Sequence, residues 1–145
     1  MAEHITHGLK VLDLGCGKMW LETMVKCSEY IPVDYISRDS RTIVCDFNRK
    51  QFPNVLVDVT FASGVIEYVN DVKWFVGEMS SSSKKIIISY VAMEDFGDVS
   101  IRRSRGWVNH LTKRRLLKLF EEENYMMLFE TVIKGNSVFV FERRN

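Results

Sequence analysis

A pair of glycines directly after a short apolar segment constrains the fold of this chain more than any other feature. Lys10–Leu14 has the length and character of a buried strand, and Gly15 and Gly17 follow it at once. Apolar residues then recur at helical spacing, at Trp20, Leu21, Met24 and Val25. Because glycine permits a sharp turn and a close backbone approach to a ligand, this order predicts a strand–loop–helix unit with a ligand at the loop. A tight turn without a ligand is the alternative.

Further strand-like segments follow along the chain. Strands are predicted at 30–34, 42–45, 55–61 and Lys85–Tyr90. The chain ends with two β-rich segments, Tyr125–Ile133 and 137–141, and the Gly135–Asn136 pair between them predicts a hairpin.

Two further helices are indicated by apolar stripes. The first begins at Asn70 or Asp71 and buries Val72, Phe75, Val76 and Met79; the second begins at Thr112 and buries Leu116, Leu119 and Phe120. The segment 93–111 lacks periodicity and is predicted to be a long loop.

This alternation predicts an α/β fold. We expect a doubly wound, mostly parallel seven-stranded sheet with helices on both faces and a C-terminal antiparallel hairpin. The length of 145 residues suits one domain, 1–145. In such sheets ligands bind beyond the carboxyl ends of the strands, where the strand order reverses.

Composition narrows the class of protein. The formal net charge is +1, which gives no global attraction to nucleic acid or to an anionic membrane. No apolar run approaches the roughly 20 residues that cross a bilayer. The three cysteines, Cys16, Cys27 and Cys45, lack Cys-x-x-Cys spacing, which argues against a disulfide framework and a structural metal site. A reducing cytoplasm is the expected location.

Asp34 ends the second predicted strand, 17 residues after Gly17. A carboxylate at that place can accept hydrogen bonds from both hydroxyls of a ribose. A turn aspartate without a ligand is the alternative. The preceding apolar segment favours the ribose interpretation.

These residues resemble motif I of class I S-adenosylmethionine-dependent methyltransferases. The resemblance implies S-adenosylmethionine as cofactor, with Asp13 and the loop Gly15–Cys16–Gly17 beside its methionine part and Asp34 on its ribose. The third glycine of the family pattern falls at Met19, whose side chain is expected to narrow the loop. A nicotinamide dehydrogenase is a weaker interpretation, because the Gly-x-Gly-x-x-Gly fingerprint is incomplete.

Two later segments extend the resemblance. Asp46 would accept from the adenine amino group and Phe47 would stack on the ring; a capping aspartate and a core phenylalanine are equal alternatives. Ser63 and Gly64 would lie beside the methionine and the reactive methyl. Glu67 is either a polar residue of the substrate pocket or a carboxylate at a helix entry.

Acceptor specificity is expected in the long loop. His110 is the candidate catalytic base, with a surface or capping histidine as the alternative. The predicted acceptor-binding residues, besides Glu67, are Tyr90, Arg102, Arg105, Trp107 and Asn109. The basic segment 102–118 could hold a phosphate-bearing acceptor or a nucleic-acid strand, or could be a solvated helix face.

Three functions follow from this sequence. The leading one is methyl transfer from S-adenosylmethionine to a small-molecule or carbohydrate-like acceptor. The alternatives are an RNA or other nucleic-acid methyltransferase that uses the basic segment, and a non-catalytic partner module with the methyltransferase fold. Only about nine residues precede the first strand, and 35–41 is too short for the family's usual helix. A partner chain or a further N-terminal segment is therefore expected to complete the site.

Overall fold

Seven strands and four α-helices make up the structure, a computed structural model that describes residues 1–145. The strands are β1 (Lys10–Leu14), β2 (Glu29–Asp34), β3 (Ile43–Val44), β4 (Val59–Ser63), β5 (Lys85–Tyr90), β6 (Tyr125–Ile133) and β7 (Asn136–Arg143). The α-helices are α1 (Trp20–Met24), α2 (Val72–Ser82), α3 (Val99–Ser104) and α4 (Lys113–Glu122). Short 3₁₀ turns lie at Ala2–His4, Phe47–Arg49 and Ile66–Tyr68.

The strands form one sheet in the order β3-β2-β1-β4-β5-β7-β6. β1 to β5 are parallel, whereas β7 is antiparallel to both β5 and β6. After β1 the chain proceeds to one side, and after β3 it returns to the other side at β4. The strand order therefore reverses at β1, and the predicted doubly wound sheet with a terminal hairpin is confirmed.

The core lies mainly on one face of the sheet. There, 23 buried residues pack between the strands and helices α2 and α4, and the Phe120 and Phe141 rings stack 3.9 Å apart. Both predicted helix stripes are buried, and Asp71 and Thr112 cap their helices. The opposite face has a cluster of only seven buried residues, covered by α1 and the N-terminal segment. The N-terminal segment is anchored there by Lys85, whose Nζ donates to the His4 carbonyl at 2.6 Å.

Several predicted boundaries were wrong. β4 begins at Val59 rather than at residue 55, because 55–58 is a connecting segment whose Val57 N–H donates to the Ser82 carbonyl. The segment 93–111 contains helix α3, whose N-terminus is capped by the Asp98 carboxylate. The hairpin turn is Lys134–Gly135, both with positive φ, as a two-residue turn of this kind requires.

None of the helices has both the length and the apolar character needed to cross a membrane. The link between β2 and β3 contains no helix, in agreement with its short predicted length.

Candidate functional site

The glycine loop joins the end of β1 to α1. Gly15 and Gly17 have φ values of +69° and +52°, a region that L side chains rarely adopt. A Cβ atom at Gly15 would lie 2.3 Å from Cγ2 of Val65, so that no larger residue fits there. The turn is held by the Gly15 and Cys16 N–H groups, which both donate to the Val33 carbonyl. The glycines are therefore needed for the turn itself.

Met19 stands where the family pattern has its third glycine. Its φ of 55° is left-handed, which explains why glycine suits the position. The Met19 side chain is buried, and its sulfur lies 3.6 Å from Nη2 of Arg41. It lines neither of the clefts described below, so the expected narrowing of the loop by Met19 does not occur.

Two clefts meet at the glycine loop. The first cleft has a volume of about 650 Å³ and lies beyond the carboxyl ends of β1, β2 and β4. It is lined by Gly15, Gly17, Asp34, Tyr35, Arg38, Asp46, Phe47, Asn48, Gly64, Val65, Tyr68 and Val69. The second cleft has a volume of about 640 Å³ and shares both glycines. Its other lining residues are Met1, Ala2, Glu3, Asp13, Cys16, Lys18, Trp20, Leu21, Met24, Phe61 and Ser63.

All nine predicted cofactor residues line one cleft or the other. Six residues of the first cleft were not predicted from the sequence: Tyr35, Arg38, Asn48, Val65, Tyr68 and Val69. Tyr35 directly follows Asp34, and this position in the sequence could have placed it in the first cleft. The others come into the cleft through the 3₁₀ turns and the β2–β3 link, which carry no periodic pattern.

The Asp34 carboxylate is the central polar group of the first cleft. Only 3% of the residue is exposed. Its Oδ2 accepts from the Gly17 N–H at 2.9 Å, and its Oδ1 accepts from the Tyr35 N–H at 2.8 Å. Arg38 donates to both oxygens, from Nε at 3.1 Å and from Nη2 at 3.3 Å. The end of β2 is thus tied directly to the glycine loop.

Burial shifts the pKa values of Asp13 and Cys16, two residues beside the glycine loop that line the second cleft. Burial raises the pKa of the Asp13 carboxyl to about 7; the hydrogen bond from the Tyr30 hydroxyl, at 2.5 Å, opposes this rise, and the Asp34 charge adds to it. Burial and the two nearby carboxylates raise the pKa of the Cys16 thiol to about 11. The Cys16 thiol, which lines the second cleft, is therefore uncharged at neutral pH.

Asp46 and Phe47 have the capping and core roles that were the alternatives for their positions. The Asp46 carboxylate accepts from the Asn48 N–H at 2.9 Å and caps the 3₁₀ turn that follows. The Phe47 ring packs 4.7 Å from the Phe75 ring, at the edge of the core. Both residues also line the first cleft.

The residues predicted to bind the acceptor form a support for the β5–α3 segment instead. The Tyr90 hydroxyl donates to the Asn109 amide oxygen at 2.6 Å, and Asn109 Nδ2 donates to the Val69 carbonyl at 2.9 Å. The Glu67 carboxylate accepts from the Val91 N–H at 2.8 Å, and burial raises its pKa. Most of these polar groups find their partners in one another and in the backbone, whereas Oε2 of Glu67 is buried without a partner.

Arg102, His110 and Trp107 belong to the same support. Arg102 is completely buried, and its Nε donates to Nδ1 of His110 at 3.1 Å. Burial and the charges of Arg102 and Arg103 lower the pKa of His110, which favours the neutral imidazole. Trp107 is buried against the guanidinium groups of Arg102 and Arg105. Neither His110 nor any of the six predicted acceptor residues lines either of the two clefts at the glycine loop, which differs from the expected acceptor pocket.

The chain is similar to solved structures of several methyltransferases, although no protein-family model and no curated protein sequence matches it. A chain from the complex between the Haloferax volcanii Trm112 methyltransferase activator and its partner methyltransferase has a TM-score of 0.80 at 12% identity, over 97% of this chain and 85% of its own. An S-adenosylmethionine-dependent methyltransferase from Mesorhizobium loti has a TM-score of 0.75 at 14% identity, over 94% and 92%. The N-methyltransferase NodS from Bradyrhizobium japonicum, in complex with S-adenosylhomocysteine, has a TM-score of 0.71 at 11% identity, over 95% and 80%.

At these identities the likeness establishes the fold. The chain has the class I methyltransferase fold, with its glycine loop at the point where the strand order reverses.

Proposed function

We propose that this protein is an S-adenosylmethionine-dependent methyltransferase whose cofactor lies across both clefts. The adenosine part would occupy the first cleft and the methionine part the second, with the glycine loop between them. The observation that carries the proposal is the Asp34 carboxylate, which lies at the end of β2 and is bonded to the N–H of Gly17. Each cleft is within the range of roughly 300–1,000 Å³ that is usual for small-ligand sites.

The residues of the clefts fit such a ligand. A Cβ atom at Gly64 would meet no other atom within 4 Å, so bare backbone faces open space beside the first cleft. Asp34 would accept from the ribose hydroxyls, Asp46 from the adenine amino group, and the Phe47 ring would border the base. The buried Asp13 carboxyl would face the charged methionine end in the second cleft.

The cofactor supplies an already activated methyl group, so this chain mainly has to align the acceptor with it. Ser63 and Gly64, at the end of β4, would border the reacting methyl, since one lines each cleft. For an acceptor that must lose a proton, His110 would serve as the base once its Nδ1 is released from the hydrogen bond that it accepts from Arg102 at 3.1 Å. We infer a small-molecule or carbohydrate-like acceptor; solved structures with this fold include a magnesium protoporphyrin IX methyltransferase and an O-methyltransferase in complex with 2-hydroxy-5-methyl naphthoic acid.

An RNA acceptor is the second candidate, and the surface of α3 and α4 favours it. Five exposed cations there make no ion pair: Arg103, Arg105, Arg114, Arg115 and Lys118. Exposed cations without acidic partners attract phosphate groups.

A partner chain is also part of the proposal, because the Haloferax volcanii structure is a complex with a methyltransferase activator and because one sheet face here is thinly covered. The three free cysteines fit a cytoplasmic location.

Calorimetric titration with S-adenosylhomocysteine tests the cofactor proposal. We expect saturable binding to the wild-type protein and at least about tenfold weaker binding to Asp34→Ala, because hydrogen bonds to a charged group contribute about 1.5–3 kcal/mol. Asp39→Ala is the matched control, since Asp39 lies in the same β2–β3 link and bonds to Arg41 outside both clefts. No binding by the wild-type protein at millimolar ligand would refute the proposal.

A further inference from the structure

Arg38 forms hydrogen bonds to both oxygens of the Asp34 carboxylate, the group on which the proposed function depends. A carboxylate offers about four lone-pair sites for hydrogen bonds. At Asp34, two of them accept the backbone N–H groups of Gly17 and Tyr35, and the other two accept Nε and Nη2 of Arg38. No site is left for the hydroxyls of a ribose while Arg38 stays in place.

Of these donors, only Arg38 can leave without unfolding the site. The N–H groups of Gly17 and Tyr35 belong to the backbone of the glycine loop and of the residue after β2. The Arg38 side chain is 33% exposed, and the guanidinium lies 6.0 Å from the Tyr35 ring at the cleft lining. Its backbone N–H is held separately by the Thr42 hydroxyl at 3.1 Å. The guanidinium can therefore swing toward solvent while the link keeps its path.

We propose that Arg38 sets the cofactor affinity of this site by competing with the ribose for Asp34. This inference rests on the proposed function. A ligand with a free ribose diol has to displace the guanidinium from a carboxylate that is nearly inaccessible to solvent, and the measured affinity is reduced by that cost. The bidentate contact between Arg38 and Asp34 is stronger than a single exposed ion pair, so breaking it should lower the affinity for the ligand measurably.

The competition has a signature in the salt dependence of binding. Salt screens the attraction between Arg38 and Asp34, because the arginine is partly exposed. S-adenosylhomocysteine carries no net charge at neutral pH, so screening acts mainly on the competitor. Added salt should therefore strengthen ligand binding to the wild-type protein and have little effect once Arg38 is removed.

The test is calorimetric titration of S-adenosylhomocysteine into the wild-type protein and Arg38→Ala, from about 0.05 M to about 0.5 M salt. We expect Arg38→Ala to bind about 3- to 10-fold more tightly at low salt, and the difference to shrink as salt is added. Arg38→Gln, which keeps most of the side-chain length without the charge, should behave in the same way. Arg41→Ala is the matched control: Arg41 pairs with Glu22 and Asp39 in the same link, so its loss should leave affinity unchanged.

Equal or weaker binding by Arg38→Ala and Arg38→Gln would overturn the inference, and weaker binding would show that Arg38 supports the site. That result would leave the proposed function intact, since the wild-type protein would still bind. No binding by any of these proteins would overturn the proposed function and this inference together.

Discussion

At the scale of single residues, Asp13 shows how burial changes the chemistry of one carboxyl group. The residue is 4% exposed, and its one side-chain partner is the Tyr30 hydroxyl. Burial disfavours the charged form, and the carboxyl therefore titrates at a pKa of about 7. The charge at the proposed methionine end of the site consequently depends on pH near neutrality.

This titration should appear in the stability of the protein. The folded protein holds the Asp13 proton more tightly than the unfolded chain, so the free energy of unfolding should fall as pH rises from about 4 to about 7 and level off above. The loss is on the order of a few kcal/mol. Asp13→Asn should remove this part of the slope and be more stable than wild type at pH about 8.

Thermal unfolding of both proteins across this pH range is the measurement. A part of the slope should remain in the variant, because burial also raises the pKa of Glu67 and its titration acts in the same direction. Parallel curves for the two proteins would show that Asp13 is ionised throughout.

At the scale of elements, the segment from the end of β5 to the start of α4 is organised around one arginine. Arg102 lies in α3 and has no exposed surface. Its guanidinium donates to the Val91, Ala92, Phe96 and Asn109 carbonyls, the Tyr90 hydroxyl and the His110 ring. A helix of six residues has little stability of its own, so these bonds, together with the Asp98 cap, hold it in place.

Arg102→Met should therefore be a stability variant rather than a substrate-binding variant. We expect a loss of about 3–5 kcal/mol in the free energy of unfolding, because several buried acceptors lose their donor. Arg103→Met is the matched control, since the side chain of Arg103, next to Arg102 in the sequence, is exposed and makes no ion pair. This substitution should change the free energy of unfolding by about 0.5 kcal/mol or less. Denaturant unfolding measures both. A small loss for Arg102→Met would mean that its guanidinium is free to serve an acceptor.

At the scale of the whole molecule, the small net charge conceals a strong separation of charge. The segment 99–120 carries seven of the 20 lysines and arginines and none of the 19 acidic residues. The rest of the chain is consequently acidic, with 13 basic residues against 19 acidic ones. Arg114 and Arg115 lie in the first turn of α4, at the positive end of its dipole, where cations are unfavourable. Their exposure without acidic partners makes this face attractive to an anion.

We expect this face to bind single-stranded RNA weakly, with a dissociation constant of about 10⁻⁶–10⁻⁴ M that rises with salt. Replacing Arg103, Arg114 and Arg115 by Gln should abolish most of the binding and lower the salt slope by about one unit per lost phosphate contact. Lys26→Gln, an exposed lysine outside this face, is the control. Fluorescence anisotropy at several salt concentrations measures the effect. Unchanged binding by the triple variant would remove the support for an RNA acceptor.

The sequence by itself determined the order of the strands and of the helices α1, α2 and α4, and it indicated nine of the residues that line the two clefts. Both depend on short-range patterns: apolar stripes in α2 and α4, the glycines of the β1–α1 turn, and the acid that ends β2. Gly15 and Asp34 come together because parallel neighbouring strands end at the same edge of the sheet, and strand register follows from which side chains are buried. Nine predicted residues could therefore be placed without knowledge of any long-range contact.

Only the tertiary structure decided what the polar residues after β5 do. Arg102, Tyr90 and Asn109 were predicted to bind the acceptor from their residue types alone. The sequence around an arginine does not show whether its side chain faces solvent or is surrounded by backbone carbonyls. Burial is settled by packing between distant segments, and a buried guanidinium must take its partners from whatever backbone surrounds it. The role of Arg38 could not be predicted for the same reason, since nothing in the eight-residue β2–β3 link indicates that this side chain folds back onto the Asp34 carboxylate.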